Sequence, residues 1–264
     1  MNVPSHLVYL MYHEIELPGR PLCQDEPGYV RYIVREADFR EQLRAIKARG
    51  WRGMSVGEAL TATDTPGVAI TLDDGCETDL ITAAPLLREL GFNATSYVTV
   101  GFLGRRGYLS RSQLRELSDL GLETGSHSLT HPYLSDLTQD QLTREIAGSK
   151  QELEQITGLP IHHFSCPGGR WDARVAATAK QAGYRSVATS RIVANSAATD
   201  VFELGRVAVM RSTGLEEFRA LAEGRGLWRL RLWNSARSFG KNVLGNALYD
   251  QVRSRLLKRK PQAR

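Results

Sequence analysis

Hydrophobic and polar positions alternate along the first 220 residues in two periods, which predict strands and helices in turn. Short apolar runs predict buried strands, and stretches with apolar residues every three or four positions predict amphipathic helices. The predicted strands are Leu7–Ile15, Gly67–Asp73, Ala94–Val100, Leu122–Ser126, His162–Cys166, Arg185–Thr189 and Arg206–Met210. The predicted helices are Glu36–Arg49, Thr78–Leu90, Thr138–Thr157, one capped by Ser110 that runs to about Leu120, and one capped by Asp172 that ends near Gly183.

Strands that alternate with helices of this length favour a mostly parallel α/β fold, and 264 residues suit a barrel-like closure. The segment Leu17–Gly28 is predicted to be a loop. No apolar run approaches the roughly 18 residues that a membrane span needs. The stretch Leu7–Tyr12 lacks the features of a signal peptide, and the three cysteines are widely spaced. Both observations predict a cytoplasmic, reducing location.

The basic charge of the chain is concentrated at one end. Residues 225–264 hold eleven Lys and Arg against one acidic residue, Asp250. The net charge of +5 therefore divides into a body, residues 1–224, at −5 and a tail at +10. Apolar residues at helical spacing and two tryptophans in the tail predict basic amphipathic helices, which either contact an anionic membrane surface or pack on the body. The acidic body, without a recognition motif, argues against a nucleic-acid partner.

Three segments with polar or glycine-rich sequences lie at the carboxyl ends of predicted strands. They are Thr71-Leu72-Asp73-Asp74-Gly75, His127-Ser128-Leu129-Thr130-His131 and Phe164-Ser165-Cys166-Pro167-Gly168-Gly169. In α/β barrels the carboxyl ends of the strands gather the active-site groups. One carboxylate and two imidazoles would supply three ligands to a catalytic metal with an open position for water, and the second carboxylate would remain as a general base.

These three segments, in this order, resemble the polysaccharide deacetylase family, the NodB-homology group of carbohydrate esterases. Tyr12-His13-Glu14-Ile15 is similar to the opening strand of many members, so the resemblance spans roughly residues 7–222. It implies a distorted (β/α)7 barrel in residues 1–224. It also implies that Asp73 is the base and that Asp74, His127 and His131 bind a divalent metal, Zn²⁺ first, with Co²⁺ or Ni²⁺ as alternatives. Cys166, Pro167 and Gly168 would form one wall of the substrate groove.

Two departures from the family pattern lead to further candidate residues. Ser165 stands where many members have an arginine that holds the base, and Arg206 is the candidate substitute. No histidine follows His163, where the family commonly has its general acid, and His13 is the candidate for that role. Cys76 and Cys166 adjoin the motifs and are rival metal ligands, although they are interpreted as buried or pocket-lining residues.

The resemblance predicts a metal-dependent hydrolase that removes an N-acetyl group from an amino sugar. The substrate would be an N-acetylated oligo- or polysaccharide or a lipid-linked precursor, as in exopolysaccharide biosynthesis. Two alternatives stay open: a non-catalytic carbohydrate-binding relative, and a hydrolase of another C–N bond, such as a deformylase. A location on the inner membrane face would suit a lipid-linked substrate.

Overall fold

The computed structural model of the protein describes residues 6–62 and 65–232, in which strands and helices alternate. The strands are β1 Val8–Tyr12, β2 Ile15–Glu16, β3 Val34–Arg35, β4 Arg52–Met54, β5 Gly67–Asp74, β6 Thr95–Val98, β7 Glu123–Ser126, β8 His163–Ser165, β9 Ser186–Ala188 and β10 Val207–Ala208. The helices are α1 Pro27–Val30, α2 Glu36–Ala48, α3 Val56–Thr61, α4 Ala84–Leu90, α5 Arg111–Asp119, α6 Gln139–Thr157, α7 Ala173–Gln181 and α8 Leu215–Ala222.

The main sheet is parallel, and its strand order is β10-β1-β5-β6-β7-β8-β9. Strand β4 also joins it, because β4 pairs with the first half of β5 while β6 pairs with the second half. On the closing side, a single parallel bridge joins Ala188 to Leu204, just before β10. This curled parallel sheet confirms the predicted α/β fold of the NodB type.

Strand β5 is the centre of the fold and delivers two acidic residues to its interior. All eight of its residues are buried, as expected for a strand with covered faces in a parallel sheet. Tyr9, Met54, Ala69 and Tyr97 pack together in the core. Asp73 and Asp74 follow the apolar run without a break, so both carboxylates lie inside the barrel.

Several short elements differ from the sequence prediction. The predicted strand Leu7–Ile15 ends at Tyr12, and the remaining Ile15 begins β2, which pairs with β3. The predicted helix Thr78–Leu90 begins with a π-helical turn, Asp79–Ala83. Hydrophobic periodicity did not predict β3, β4, α1, α3 or α8, because each spans eight residues or fewer. Helix α3 nevertheless has a local signal, the capping box formed by Ser55 and Glu58.

The chain divides into two compact units, residues 1–225 and residues 226–264. Residues 233–264 lie outside the described residues, so the amphipathic helices and the membrane contact of the basic tail stay predictions. Within the described ranges, no helix is long and apolar enough to cross a membrane.

Candidate active site

The end of β5 turns sharply and directs Asp74 toward the barrel axis. Asp74 has a φ of 81° and Gly75 has a φ of 77°, a left-handed conformation that Gly adopts freely and Asp adopts at a cost. Asp73 is paired in register with Tyr97 of β6, which fixes the height of the two carboxylates in the barrel. The adjacent acidic residues therefore face different neighbours.

His127 follows β7 and is held by hydrogen bonds at both its backbone and its ring. Its backbone N–H donates to the carbonyl of Val98 at 2.9 Å, and its Nδ1 lies 2.9 Å from the carbonyl oxygen of Ser165. A carbonyl only accepts, so Nδ1 bears the proton, and Nε2 has a free lone pair. That nitrogen lies 3.6 Å from Oδ1 of Asp74.

His131 completes a compact group of three potential ligands. Its Nε2 lies 3.4 Å from the same Oδ1 of Asp74, and the ligand atoms of Asp74, His127 and His131 all lie within 4.8 Å of one another. The Asp74 oxygen is buried and accepts no hydrogen bond. A buried carboxylate oxygen between two imidazole nitrogens is what a divalent cation would satisfy, so these residues fit a metal ion.

The backbone around the three groups is strained in a way that favours a functional role. Among the described residues, the non-glycine residues with positive φ are Asp74, Ser128 and His131. Each such conformation costs on the order of 1–3 kcal/mol and persists only where the surroundings impose it. Part of that support is the hydroxyl of Ser128, which accepts a hydrogen bond from the His131 N–H at 2.9 Å.

Glu145 supports the same loop from helix α6. Its carboxylate accepts hydrogen bonds from the backbone N–H groups of Leu129 and Thr130, both at 2.9 Å, and from the Thr130 hydroxyl at 2.7 Å. Sequence reasoning missed this residue, because a glutamate on a helix has no local signal that connects it to a distant loop. It fixes the segment between the two histidines.

Arg206 lies against Asp73 deep in the barrel. Its Nη1 donates to Oδ1 at 2.6 Å and its Nη2 to Oδ2 at 2.9 Å. The same guanidinium donates to the hydroxyls of Thr71 and Ser165 and, through Nε, to the carbonyl of Thr189. It is only 1% exposed. The small Ser165 side chain thus helps to satisfy the guanidinium of Arg206, which comes just before β10.

The charges and burial of the site favour ionised carboxylates at Asp73 and Asp74 and a neutral ring at His127. At His131, by contrast, burial is outweighed by the two carboxylates, which raise the pKa of this ring. Burial opposes ionisation of Asp73, but Arg206 and His127 outweigh it and lower the pKa of Asp73 below its usual value. The three histidines near Asp74 likewise overcome burial and lower its pKa. Burial lowers the pKa of His127 to about 4, so this ring is neutral at pH 7. Two carboxylates and a neutral imidazole are the forms that bind cations.

Comparison with known proteins agrees with this geometry. The family model described as polysaccharide deacetylase matches residues 61–187, which include the aspartate pair, the two histidines and the third segment. Residues 61–187 therefore form a polysaccharide deacetylase domain. The YxkH protein of Bacillus subtilis is 27% identical over 83% of this chain and 77% of its own length.

Two further relatives of this deacetylase domain come from a sequence and a solved structure. A peptidoglycan-N-acetylglucosamine deacetylase of Bacillus cereus is 35% identical over 46% of this chain, and the match spans 54% of that relative's length. The structure of the Streptococcus pyogenes deacetylase PplD, in complex with acetate, superposes with a TM-score of 0.73. That match covers 82% of this chain and 98% of PplD at 24% identity, so it supports the fold.

His13 lies at the same end of the deacetylase domain. Its ring stacks at 4.9 Å on that of Tyr32, and its Nδ1 is buried without a hydrogen-bond partner. It is close enough for its charge to lower the pKa of both Asp73 and Asp74. The structure therefore brings His13 to the aspartate pair.

The third segment forms a tight turn beside the histidine loop. Cys166 and Pro167 are buried, while Gly168 is exposed and has a φ of 60°. A Cβ at Gly168 would lie 2.6 Å from Cε1 of Tyr133, so the turn packs directly on that ring. The segment thus lies against the residues that follow His131.

The cysteines do not join the group of potential ligands. The group of His, Cys, Asp and Glu side chains found among the described residues is Asp74 with His127 and His131. Cys76 lies 3.8 Å from Cys23, Sγ to Sγ, and burial raises the pKa of Cys166 to about 12. A neutral thiol is a poor metal ligand.

Proposed function

We propose that this chain is a metal-dependent hydrolase that removes the N-acetyl group from an amino sugar in an oligo- or polysaccharide or its lipid-linked precursor. The observation that carries the proposal is the unpartnered Asp74 oxygen between His127 and His131, with an ionised Asp73 beside it. The names of the relatives support the reaction and the sugar class. Zn²⁺ is the proposed ion, with Co²⁺ or Ni²⁺ as alternatives.

In this mechanism Asp74, His127 and His131 would hold the metal. When bound, a divalent ion lowers the pKa of a coordinated water and polarises the amide carbonyl of the substrate. The Nδ1–H of His127 donates to the Ser165 carbonyl and so aims Nε2 at the ion.

Asp73 is the proposed general base. Its Oδ2 lies 3.9 Å from Nε2 of His127, so it lies beside the residues that would hold the metal. Arg206 keeps this carboxylate ionised and fixed through two hydrogen bonds. A proton taken by Asp73 from the attacking water leaves the oxygen free to form its bond to the carbonyl carbon.

The remaining proposed roles concern the developing negative charge and the leaving amine. The backbone N–H of Gly168 is the proposed donor to the oxyanion, since a rigid turn can aim such a group without reorganisation. His13 is the proposed acid that protonates the amine as the C–N bond breaks. Its unpartnered Nδ1 and its closeness to the aspartate pair support this role.

The test combines metal analysis with product detection on the full chain. We expect purified protein to bind about one equivalent of zinc, cobalt or nickel and to release acetate from N-acetylglucosamine oligomers. Parallel assays with N-formylated substrate distinguish a deformylase by release of formate. Protein that binds metal and sugar but releases neither acid would support the non-catalytic alternative and refute the proposed function.

A further inference from the structure

A loop between the two metal-binding segments is fixed to both of them. On one side, the backbone N–H of Gly101 donates to the carbonyl of Leu129 at 2.7 Å. On the other side, the N–H of Leu109 donates to the carbonyl of Gly75 at 3.0 Å. Residues 104–107, Gly-Arg-Arg-Gly, form the tip of this loop, and we call them the arginine rim; residues 104–106 are exposed. Its position is therefore set by the same backbone that positions the ligands.

Phe102 connects the arginine rim to the candidate metal site. Its ring lies 5.5 Å from that of His131, and the guanidinium of Arg105 lies over it at 5.0 Å from the ring centroid. A guanidinium stacked on an aromatic face keeps its in-plane N–H donors free to bind a carboxylate or phosphate. Arg105 thus lies one aromatic ring away from a proposed metal ligand.

The two arginines of the rim lack acidic partners. Among the described residues, no carboxylate lies within ion-pair distance of Arg105 or Arg106, and both side chains are exposed. Glu77, whose backbone N–H donates to the carbonyl of Gly107 at 2.8 Å, uses its carboxylate for Arg20 and Gln113 instead. Two adjacent unpaired cations beside a catalytic group have a positive potential that an anionic ligand would satisfy.

Arg170 provides a contrast on the other side of the histidine loop. It also covers an aromatic ring, that of Tyr133, with 4.1 Å between the guanidinium carbon and the ring centroid. However, its guanidinium lies 3.5 Å from a carboxylate oxygen of Asp136, so any other anion would compete with this carboxylate for Arg170. Arg105 and Arg106 differ from it in that no carboxylate of the described residues lies within ion-pair distance of either.

We infer that the arginine rim selects substrates that carry an acidic group near the acylated amino sugar. The inference rests on the proposed deacetylase function and narrows its substrate class to anionic glycans. A carboxylate on a neighbouring sugar and a phosphate both present oxygens that match the guanidinium donors. Arg105 and Arg106 would bind that group while the N-acetyl group reaches Asp73 and the metal site.

The experiment compares three N-acetylglucosamine oligomers of equal length. One is neutral, one has a carboxylate on alternate sugars, and one ends in a phosphate monoester. Acetate release gives kcat/KM for each, and isothermal titration calorimetry of zinc-loaded protein gives Kd. The test variant is Arg105→Gln/Arg106→Gln. The matched control is Arg88→Gln/Arg144→Gln, which removes the same charge from two exposed helical positions.

We expect at least one anionic oligomer to have a kcat/KM about tenfold higher, and a Kd about tenfold lower, than the neutral oligomer with the wild type. A difference of this size is typical of a charge-assisted hydrogen bond. The rim variant should lose this preference, and the control should keep it. The oligomer that is preferred identifies carboxylate or phosphate. Equal use and binding of all three oligomers by the wild type, or a preference that survives in the rim variant, would overturn the inference. A binding preference lost in the variant without any acetate release would refute the proposed function and leave the rim assignment standing.

Discussion

Arg206 binds both carboxylate oxygens of Asp73, although 133 residues separate them in the chain. The pair is buried, and Thr71, Ser165 and Thr189 satisfy the remaining donors of the guanidinium. A buried ion pair with all its hydrogen bonds made holds a carboxylate in one orientation and one charge state. Asp73 is thus fixed beside the candidate metal site formed by Asp74, His127 and His131.

Removing this arginine should cost stability as well as activity. Arg206→Met leaves Asp73 buried and unpaired, which should lower the free energy of unfolding by about 3–5 kcal/mol. Urea unfolding measures the loss, and Asp73→Asn in the same background should restore part of it. The control is Arg174→Met, whose exposed pair with Asp172 is worth about 1 kcal/mol or less. A variant as stable as the wild type would show that the pair does not behave as a buried one.

Metal retention should separate the two adjacent aspartates. Asp73→Asn should keep its metal while kcat falls by about 10²-fold or more, because only the general base is lost. Asp74→Asn and His127→Ala should lose metal and activity together. Elemental analysis gives the metal content, and saturating zinc should stabilise the wild type by about 2.7 kcal/mol at a hundredfold excess over Kd. An active Asp73→Asn enzyme would contradict the assigned roles.

A methyl group at Gly168 should disturb the wall of the site. The added Cβ would meet the ring of Tyr133 at 2.6 Å in a backbone with positive φ. We expect Gly168→Ala to lower kcat/KM by about tenfold or more, since small displacements of catalytic groups are costly. Gly158→Ala is the matched control, because it has a similar φ but open space around its Cβ. Both should lose about 1–2 kcal/mol of stability to the left-handed backbone, and Gly168→Ala should lose more because of the Tyr133 contact. Only Gly168→Ala should lose activity.

His163 should make the fold sensitive to mild acid. Burial, with the nearby charges of His162, Arg185 and Lys150, lowers its pKa to about 4. As the pH falls, His163 is protonated in the unfolded state before it is protonated in the folded state. The free energy of unfolding that is present above pH 6.5 is therefore lost as the pH falls toward 4. The loss between pH 7 and pH 5 should be about 2 kcal/mol.

Urea unfolding of His163→Asn at both pH values tests this expectation. The variant should show less acid destabilisation than the wild type, because it removes the ring that resists protonation. His162→Asn, at a more exposed ring, is the control and should change the pH dependence less. Identical pH dependence in wild type and His163→Asn would contradict the prediction.

The sequence predicted the site best where reactive side chains directly follow a predicted strand. Asp73 and Asp74 follow an apolar run, and His127 follows another, so the carboxyl ends of parallel strands had to bring them together. The long helices, such as α6, were also predicted within one or two residues. The missed elements were short ones, β3, β4, α1, α3 and α8, whose residues pack through tertiary contacts rather than through a repeated pattern.

Contacts between residues that are far apart in the sequence could not be predicted from local sequence patterns. The absence of an arginine at Ser165 suggested a substitute, but only the packed barrel shows that the Arg206 guanidinium reaches both Asp73 and the Ser165 hydroxyl. Glu145 and Phe102 had no signal at all, because their importance depends on which loop lies beside them. Such residues are identified from their contacts in the folded structure and not from the sequence around them.

The hydrogen-bond ladder from β5 through β6 to β7 has a consequence for how the protein could change. Asp74 pairs with Val98, Val98 pairs with Ser126, and the N–H of His127 donates to Val98. The distance between Asp74 and His127 is therefore set by the spacing of the paired strands and not by the lengths of the loops. Insertions in the outer helices, or most changes in the arginine rim, would leave that separation intact. The loops and helices around the barrel can thus vary while the spacing between Asp74 and His127 is kept.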